Sequence, residues 1–415
     1  MEKSYSQPLR LNERIEVLDV LRGFALLGIL ILNILFFALP FSSFSNPTVF
    51  GDLTGLNLRV FQFTHIFGEM KFMSLFSILF GAGVLLFIHR LDGKGLTGTQ
   101  FHVRRMWWLL LFGLIHAYLL WFGDILVAYS IVGFLVYMLR NSSNRLLIWL
   151  FCLFFFIPVI IFYLLGTAMN YAPDSVYQEA LKEWRPSFEV LSREVDIYQN
   201  GSWWDIFMKR IPLTIQLQVV GFMLMSFWRI VSMMILGMLL FRNGILTGQK
   251  SKQFYLVLAI AGISIGTLIS GYGLHLDFEK NWDLAHFYRI GTTINYMASL
   301  PMALGYLGLV LWVYQMKIAD FLMKGLAAVG RMAFTNYLCQ TVICSLLFYS
   351  YGFGLFGKLQ RVELLGIVLI IWMFQIGFSW FWLREYNMGP LEWLWRWLTY
   401  REKPRFRSKK KVKLA

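Results

Sequence analysis

The 415-residue chain is poor in charge: 15% of its residues are Asp, Glu, Lys or Arg, where a soluble domain carries about a quarter. That shortfall excludes an ordinary soluble enzyme. Cysteine is scarce as well. The three present, Cys152, Cys339 and Cys344, lie in apolar sequence at spacings that match no metal site or disulfide framework, so they read as small hydrophobes. Acidic residues are outnumbered, 23 against 38 Lys and Arg, for a net charge of +15. Several signatures are missing altogether: a Walker A loop, a strand-linked GxGxxG, HExxH and GxSxG. ATP-driven transport by this chain is therefore without support. No small-residue cleavage site follows the first apolar run, so that run is expected to remain as a membrane helix. No strong internal repeat is visible.

Apolar length is what the chain has instead. It is 58% hydrophobic with a mean hydropathy of +0.59. The apolar residues fall in runs of about twenty, enough for a helix to cross about 30 Å of hydrocarbon. A β-barrel would alternate in segments of about ten residues instead. The expected fold class is an all-α, polytopic transmembrane bundle of about ten spans. The division expected is 1–17 as a cytoplasmic N-terminus, 18–168 as a five-span bundle and 169–218 as an extracytoplasmic polar or interfacial segment. A second five-span bundle follows over 219–384, with a basic tail over 385–415. The second hydrophobic stretch, 61–88, is longer than one crossing needs, so its first part is expected to be interfacial or re-entrant. Residues 274–290 read as a polar loop, and 327–350 as the ninth span.

Lys and Arg concentrate in the segments that about ten spans would place on the same side as both termini. The sequence thus predicts a plasma-membrane protein with cytoplasmic ends. The tail, with Arg405, Arg407, Lys409, Lys410, Lys411 and Lys413, is expected to lie against anionic lipid head groups. The excess charge is spread over loops, and nucleic acid is not an expected partner.

The most informative polar residues lie in the first span. Asp19 and Arg22 are neighbours at i,i+3. Asn33 is eleven residues beyond Arg22, about three turns on, which returns it to the same face. Such a stripe is expensive in hydrocarbon and should face a cavity or the bundle interior. An ion pair that pins the helix, and an interhelical hydrogen bond from Asn33, explain it equally well. His65 and Glu69 share a helix face at i,i+4, an arrangement that suits a general base; a water-exposed interfacial pair is the alternative. No second cluster is spaced to complete a metal site with them. Lys71 points to the other side and is expected to snorkel. His116 stands about 16 Å along its helix from Arg105, a functional candidate by default inside a membrane. Asp124 follows in a tight turn, where capping the next helix would account for it. Arg331 and Thr335 are expected to share one face of the ninth span, as are Asn336 and Gln340. Arg331 is suited to a phosphate or carboxylate, with snorkelling and packing as the alternative.

Five stretches form a pattern in order: LDVLRGFALLGILILN at 18–33, KFMSLFSILFGAG at 71–83, GLIHAYLLWFGDIL at 113–126, GRMAFTNY at 330–337 and GPLEWLWR at 389–396. The chain resembles the YeiB-like bacterial membrane proteins, whose C-terminal half is the domain of unknown function 418. Its first motif is also similar to that of transmembrane acyltransferases of the heparan-glucosaminide acetyltransferase type. The resemblance implies that an acyl group, acetyl in that enzyme, passes from cytoplasmic acyl-CoA to a hydroxyl or amine on the far side. It implies a histidine that handles the proton or acyl group there. Loop 41–60 holds no histidine, so that role falls to His116 or His65, oriented by Asp124 or Glu69. Asp19, Arg22, Asn33, Lys71, Arg331, Thr335, Asn336 and Gln340 are the candidate binding residues, with Asn33 a donor to the developing oxyanion. The acceptor would be an envelope glycan or a small molecule, and membrane lipids are the other partners. A homodimer is left open. A small-molecule transporter or channel using the same polar stripe is the alternative from another class; a non-catalytic structural or sensory protein is the third.

Overall fold

The computed structural model describes residues 15–93, 95 and 98–407. Lys409, Lys410, Lys411 and Lys413 lie outside the described residues. Within them the chain is helical, with no strand beyond the single bridge between Tyr386 and Arg407. Eight helices are long and apolar enough to cross a membrane, and Leu126–Asn141 and Ala333–Phe348 are shorter apolar helices. The protein is an all-α polytopic bundle.

Helix α1, Glu16–Ala38, forms the axis of the bundle. Apolar residues surround it on nearly every side, as a helix in a bundle core requires. It packs against helices from both halves of the sequence. The N-terminal partner is α3, and the C-terminal ones are α12 to α15, defined below. The chain therefore builds one interlocked bundle.

The long second stretch, whose first part was expected to be interfacial or re-entrant, is a broken helix. α2, Gly55–Phe63, continues as a π-turn over Thr64–Gly68, and the chain then breaks. Met70 takes a left-handed conformation at φ 66°, and α3 starts afresh over Lys71–Asp92. α4 covers Gly98–Ile115 and ends in a π-turn, His116–Leu120. α5 is Leu126–Met138 and α6 Asn144–Met169.

Two amphipathic helices follow, α7 over Asp174–Trp184 and α8 over Phe188–Asn200. The polar segment ends earlier than 218. Ser202 and Asp205 form a reciprocal capping box that starts α9, Trp203–Gln216. A π-helical stretch joins α9 to α10, Phe227–Arg242.

α11, Lys252–Glu279, crosses beside α12, Thr292–Met316. The expected loop 274–290 is mostly helix. α11 runs to Glu279 and helical structure resumes at Leu284, leaving a four-residue turn, Lys280–Asp283. The charges there sit at helix ends, and Asp283 caps the next turn by accepting from His286 N at 2.8 Å.

The expected ninth span is two helices. α13, Asp320–Arg331, ends at Met332, whose φ of −116° and ψ of 30° leave the helical region. α14 then runs over Ala333–Phe348. Arg331 and Thr335 consequently lie on different helices and share no face. α15 is Arg361–Glu385. α16, Pro390–Tyr400, folds back onto α4 and α14 where a tail was expected.

α1 and α13 touch backbone to backbone. A Cβ built on Gly330 would lie 1.8 Å from the Asp19 carbonyl oxygen, and one on Gly23 2.0 Å from that of Leu326. Small residues permit this approach, as at other intramembrane crossings. Gly330→Leu is expected to prise the pair apart and destabilise the protein by about 3 kcal/mol, the upper end of overpacking costs. A lowered unfolding midpoint in detergent checks this; an unchanged midpoint contradicts the crossing.

Candidate functional site

The N-terminal turns of α1 face a cavity of about 340 Å³. Along α3 its wall runs from Leu91 to Phe76, about 22 Å at 1.5 Å per residue. Five arginines line it: Arg22, Arg90, Arg105, Arg331 and Arg396. Asp19 and Glu392 are the carboxylates. Its deeper wall is apolar and aromatic, with Phe76, Phe80, Leu109, Ile125, Tyr129 and Tyr337.

Local structure fixes several of these groups. Asp19 Oδ1 accepts from Arg22 Nη1 at 2.9 Å, the expected i,i+3 pair. Arg331 Nη2 donates to the Asn387 carbonyl at 3.1 Å. The Arg105 guanidinium lies between the rings of Phe87 and Trp395, 4.7 and 4.5 Å from their centres. That stacking holds its plane while leaving its donors for other groups. Glu392 Oε1 accepts from the backbone N–H groups of Phe334 and Thr335, at 2.7 and 3.0 Å. Its Oε2 accepts from Thr335 Oγ1 at 2.5 Å. A carboxylate from α16 thus caps the first turn of α14, where unpaired N–H groups and the helix dipole favour negative charge. Burial pushes the Glu392 carboxyl above its ordinary range, against the pull of the hydrogen bonds from Thr335.

His116 is fully buried. Its Nδ1 lies 2.8 Å from Asp124 Oδ1 and its Nε2 2.9 Å from Thr341 Oγ1. With Nδ1–H donating to the carboxylate, Nε2 is the accepting nitrogen and Thr341 donates to it. The other Asp124 oxygen accepts from Val127 N at 2.8 Å and caps α5, so Asp124 both caps and orients. His116 does not line the cavity. Its ring centre is 5.1 Å from that of Tyr337, which does. Tyr337 donates in turn to the Gly123 carbonyl at 3.3 Å.

His65 and Glu69 do pair, Nδ1 to Oε2 at 2.7 Å, and His65 is buried. They lie at the helix break, away from the cavity. Lys71 does not snorkel. It is fully buried and donates to the His65 carbonyl at 3.0 Å, to Ser270 Oγ at 3.2 Å and to Asn295 Oδ1. Three converging oxygens replace the water that snorkelling would have reached.

Asn33 is half-buried, its side chain makes no hydrogen bond among the described residues, and it does not line the cavity. Asn336 donates to Val329 O and to Ser379 Oγ, at 3.2 and 2.9 Å. Gln340 donates to Gln375 Oε1 at 2.9 Å, and Gln375 returns a bond to Asn336 O at 2.8 Å. This buried amide network ties α14 to α15 across the Met332 break and stays out of the cavity.

Of the residues singled out from sequence, the cavity gathers Asp19, Arg22 and Arg331. Thr335 sits behind Glu392. Sequence reasoning missed Arg90, Arg105, Glu392 and Arg396 as site residues. One signal was present: Glu392 and Arg396 are four apart, on one helix face, within the GPLEWLWR stretch.

The fold and its cavity define the class: a polytopic helical membrane protein with an arginine-rich internal site. The family described as "Protein of unknown function (DUF418)" matches residues 240–402, from the end of α10 through α16. The uncharacterized protein YeiB of Escherichia coli (strain K12) is 32% identical over 398 residues, covering 94% of this chain and 97% of that one. The uncharacterized protein YxaH of Bacillus subtilis (strain 168) is 33% identical over 411 residues, covering 95% and 96%. The chain belongs to this YeiB-like family. No solved structure matches it.

Proposed function

We propose that the protein is an integral-membrane acyltransferase of the cell membrane, with both termini cytoplasmic. The donor is cytoplasmic acyl-CoA, acetyl-CoA by resemblance, and the acceptor an extracytoplasmic hydroxyl or amine. One observation carries this reading: a cavity with five arginines and an apolar inner wall stops one aromatic ring short of a buried His–Asp pair. Arginine forks suit the phosphates of the donor, and the apolar end suits its acyl arm.

In this reading His116 Nε2 takes the proton of the acceptor, with Asp124 stabilising the imidazolium. The acceptor oxygen or nitrogen bonds to the thioester carbonyl carbon. The carbon–sulfur bond breaks and CoA leaves with its sulfur as the thiolate. For this His116 exchanges its hydrogen bond to Thr341, and the Tyr337 ring turns aside. His65 and Glu69, remote from the cavity, take no part.

Arg105→Gln with Arg396→Gln is expected to weaken acetyl-CoA binding by about two orders of magnitude, from two charge-assisted hydrogen bonds at about 1.5 kcal/mol each. Titration calorimetry of the purified protein checks it, and unchanged affinity removes the donor site.

The second reading, a small-molecule transporter or channel, draws on other residues. Lys71, Arg229 and Asp277 are ionisable and buried within spans, where such groups mark pathways by default. Uptake of labelled solute into proteoliposomes without acyl-CoA would favour it.

A further inference from the structure

A second group of ionisable side chains lies beside the other end of α3 from Arg90, where α11 turns back toward α12. Asp277 is 1% exposed, and neither of its carboxylate oxygens accepts a hydrogen bond. His286, across the turn, places Nε2 3.8 Å from Asp277 Oδ1. That nitrogen has no hydrogen-bond partner either. The turn holds them in place. Trp282 N donates to the Asp277 carbonyl at 2.9 Å, and Asp283 caps the backbone of His286. A Cβ on Gly291 would lie 2.2 Å from Asp277 Oδ1, so the carboxylate rests on bare backbone. From outside, α7 seals the corner: Trp184 Nε1 donates to the Trp282 carbonyl at 2.8 Å.

Among the described residues, His286 is the basic side chain that faces the Asp277 carboxylate. Glu69 is near enough to act on Asp277, has the same sign and is bonded to His65. Lys71 is occupied by its three oxygens. Glu279, Lys280, Asp283 and Arg289 act on His286. α6, packed against the corner, carries no charged residue after Arg145. A bare carboxylate without counter-ion or hydrogen bond is strongly disfavoured in such surroundings. An Asp–His pair holding one proton is neutral whichever atom carries it.

We propose that Asp277 and His286 together hold one proton, forming a membrane-embedded proton-binding site distinct from the arginine cavity. The proton passes between Asp277 Oδ1 and His286 Nε2. The O–H bond breaks as the N–H bond forms, and the net charge of the pair does not change. Small side-chain movements close the 3.8 Å gap, which lets the proton move within the pair.

The test is the pH dependence of unfolding in detergent between about pH 7.5 and 9, for wild type, Asp277→Asn and His286→Lys. In the unfolded chain the two side chains hold no proton above about pH 7.5. The folded pair holds one until it titrates in turn, so the unfolding constant of wild type should rise with pH relative to both variants, by up to about tenfold per unit at the start of this range. Asp277→Asn removes the acid, and His286→Lys supplies a permanent cation in place of the proton. If Asp277→Asn fails to fold, His286→Lys carries the comparison. Equal slopes in wild type and either folded variant overturn the proposal. A purely structural contact would alter the midpoint at every pH alike.

Discussion

His116→Ala is expected to lower acyl transfer by about 10²–10⁴-fold, the range contributed by a general base, while acetyl-CoA affinity stays within about twofold. The split follows from position. His116 lies behind Tyr337 and outside the cavity wall, so the arginines that would hold the donor do not depend on it. Asp124→Asn should show the same split with a smaller loss in transfer. It keeps an oxygen to cap α5 and weakens the bond that orients Nδ1. Radiolabelled transfer in proteoliposomes, together with calorimetric binding, checks both. Loss of binding in His116→Ala would mean that the histidine props the cavity rather than acting as a base.

The second large effect is structural. Lys71→Met is expected to destabilise the protein by about 1–3 kcal/mol, the cost of taking the donor away from buried hydrogen-bond acceptors. The ammonium satisfies a main-chain carbonyl of the π-turn together with Ser270 and Asn295. It thereby ties the broken second helix to α11 and α12. Methionine fills similar volume but donates nothing, leaving Ser270 and Asn295 only the bond between them, Ser270 Oγ donating to Asn295 Oδ1 at 2.8 Å. Lys71→Arg should rescue poorly, because a planar fork does not match three oxygens converging on one point. Thermal unfolding in detergent measures this, and a wild-type midpoint for Lys71→Met would contradict the network.

Apolar run length made the bundle legible. The first apolar run read as a membrane span with a polar stripe, and the excess length of 61–88 pointed to an interfacial or re-entrant first part. The site was legible only in part. Asp19 and Arg22 stood out because they are charged at the mouth of an apolar run. The Met332 break was not visible, because 327–350 reads as one continuous apolar segment. Its cap, Glu392, arrives from 57 residues beyond Thr335, and no local pattern records that. α16 was hidden by composition: eleven residues are too few to cross a membrane, and the basic tail around them dominates the reading. Lys71 was misplaced for the same kind of reason, since helix periodicity does not show that Ser270 and Asn295 converge on it.

Photocrosslinking with a short-chain acyl-CoA carrying a reactive acyl group tests the cavity assignment most directly. The predicted result is saturable labelling of Tyr129 or Tyr337 on the inner wall, competed by unlabelled acetyl-CoA and lost in Arg105→Gln with Arg396→Gln. Labelling confined to lipid-facing helix surfaces, or indifferent to those arginines, would contradict the donor site.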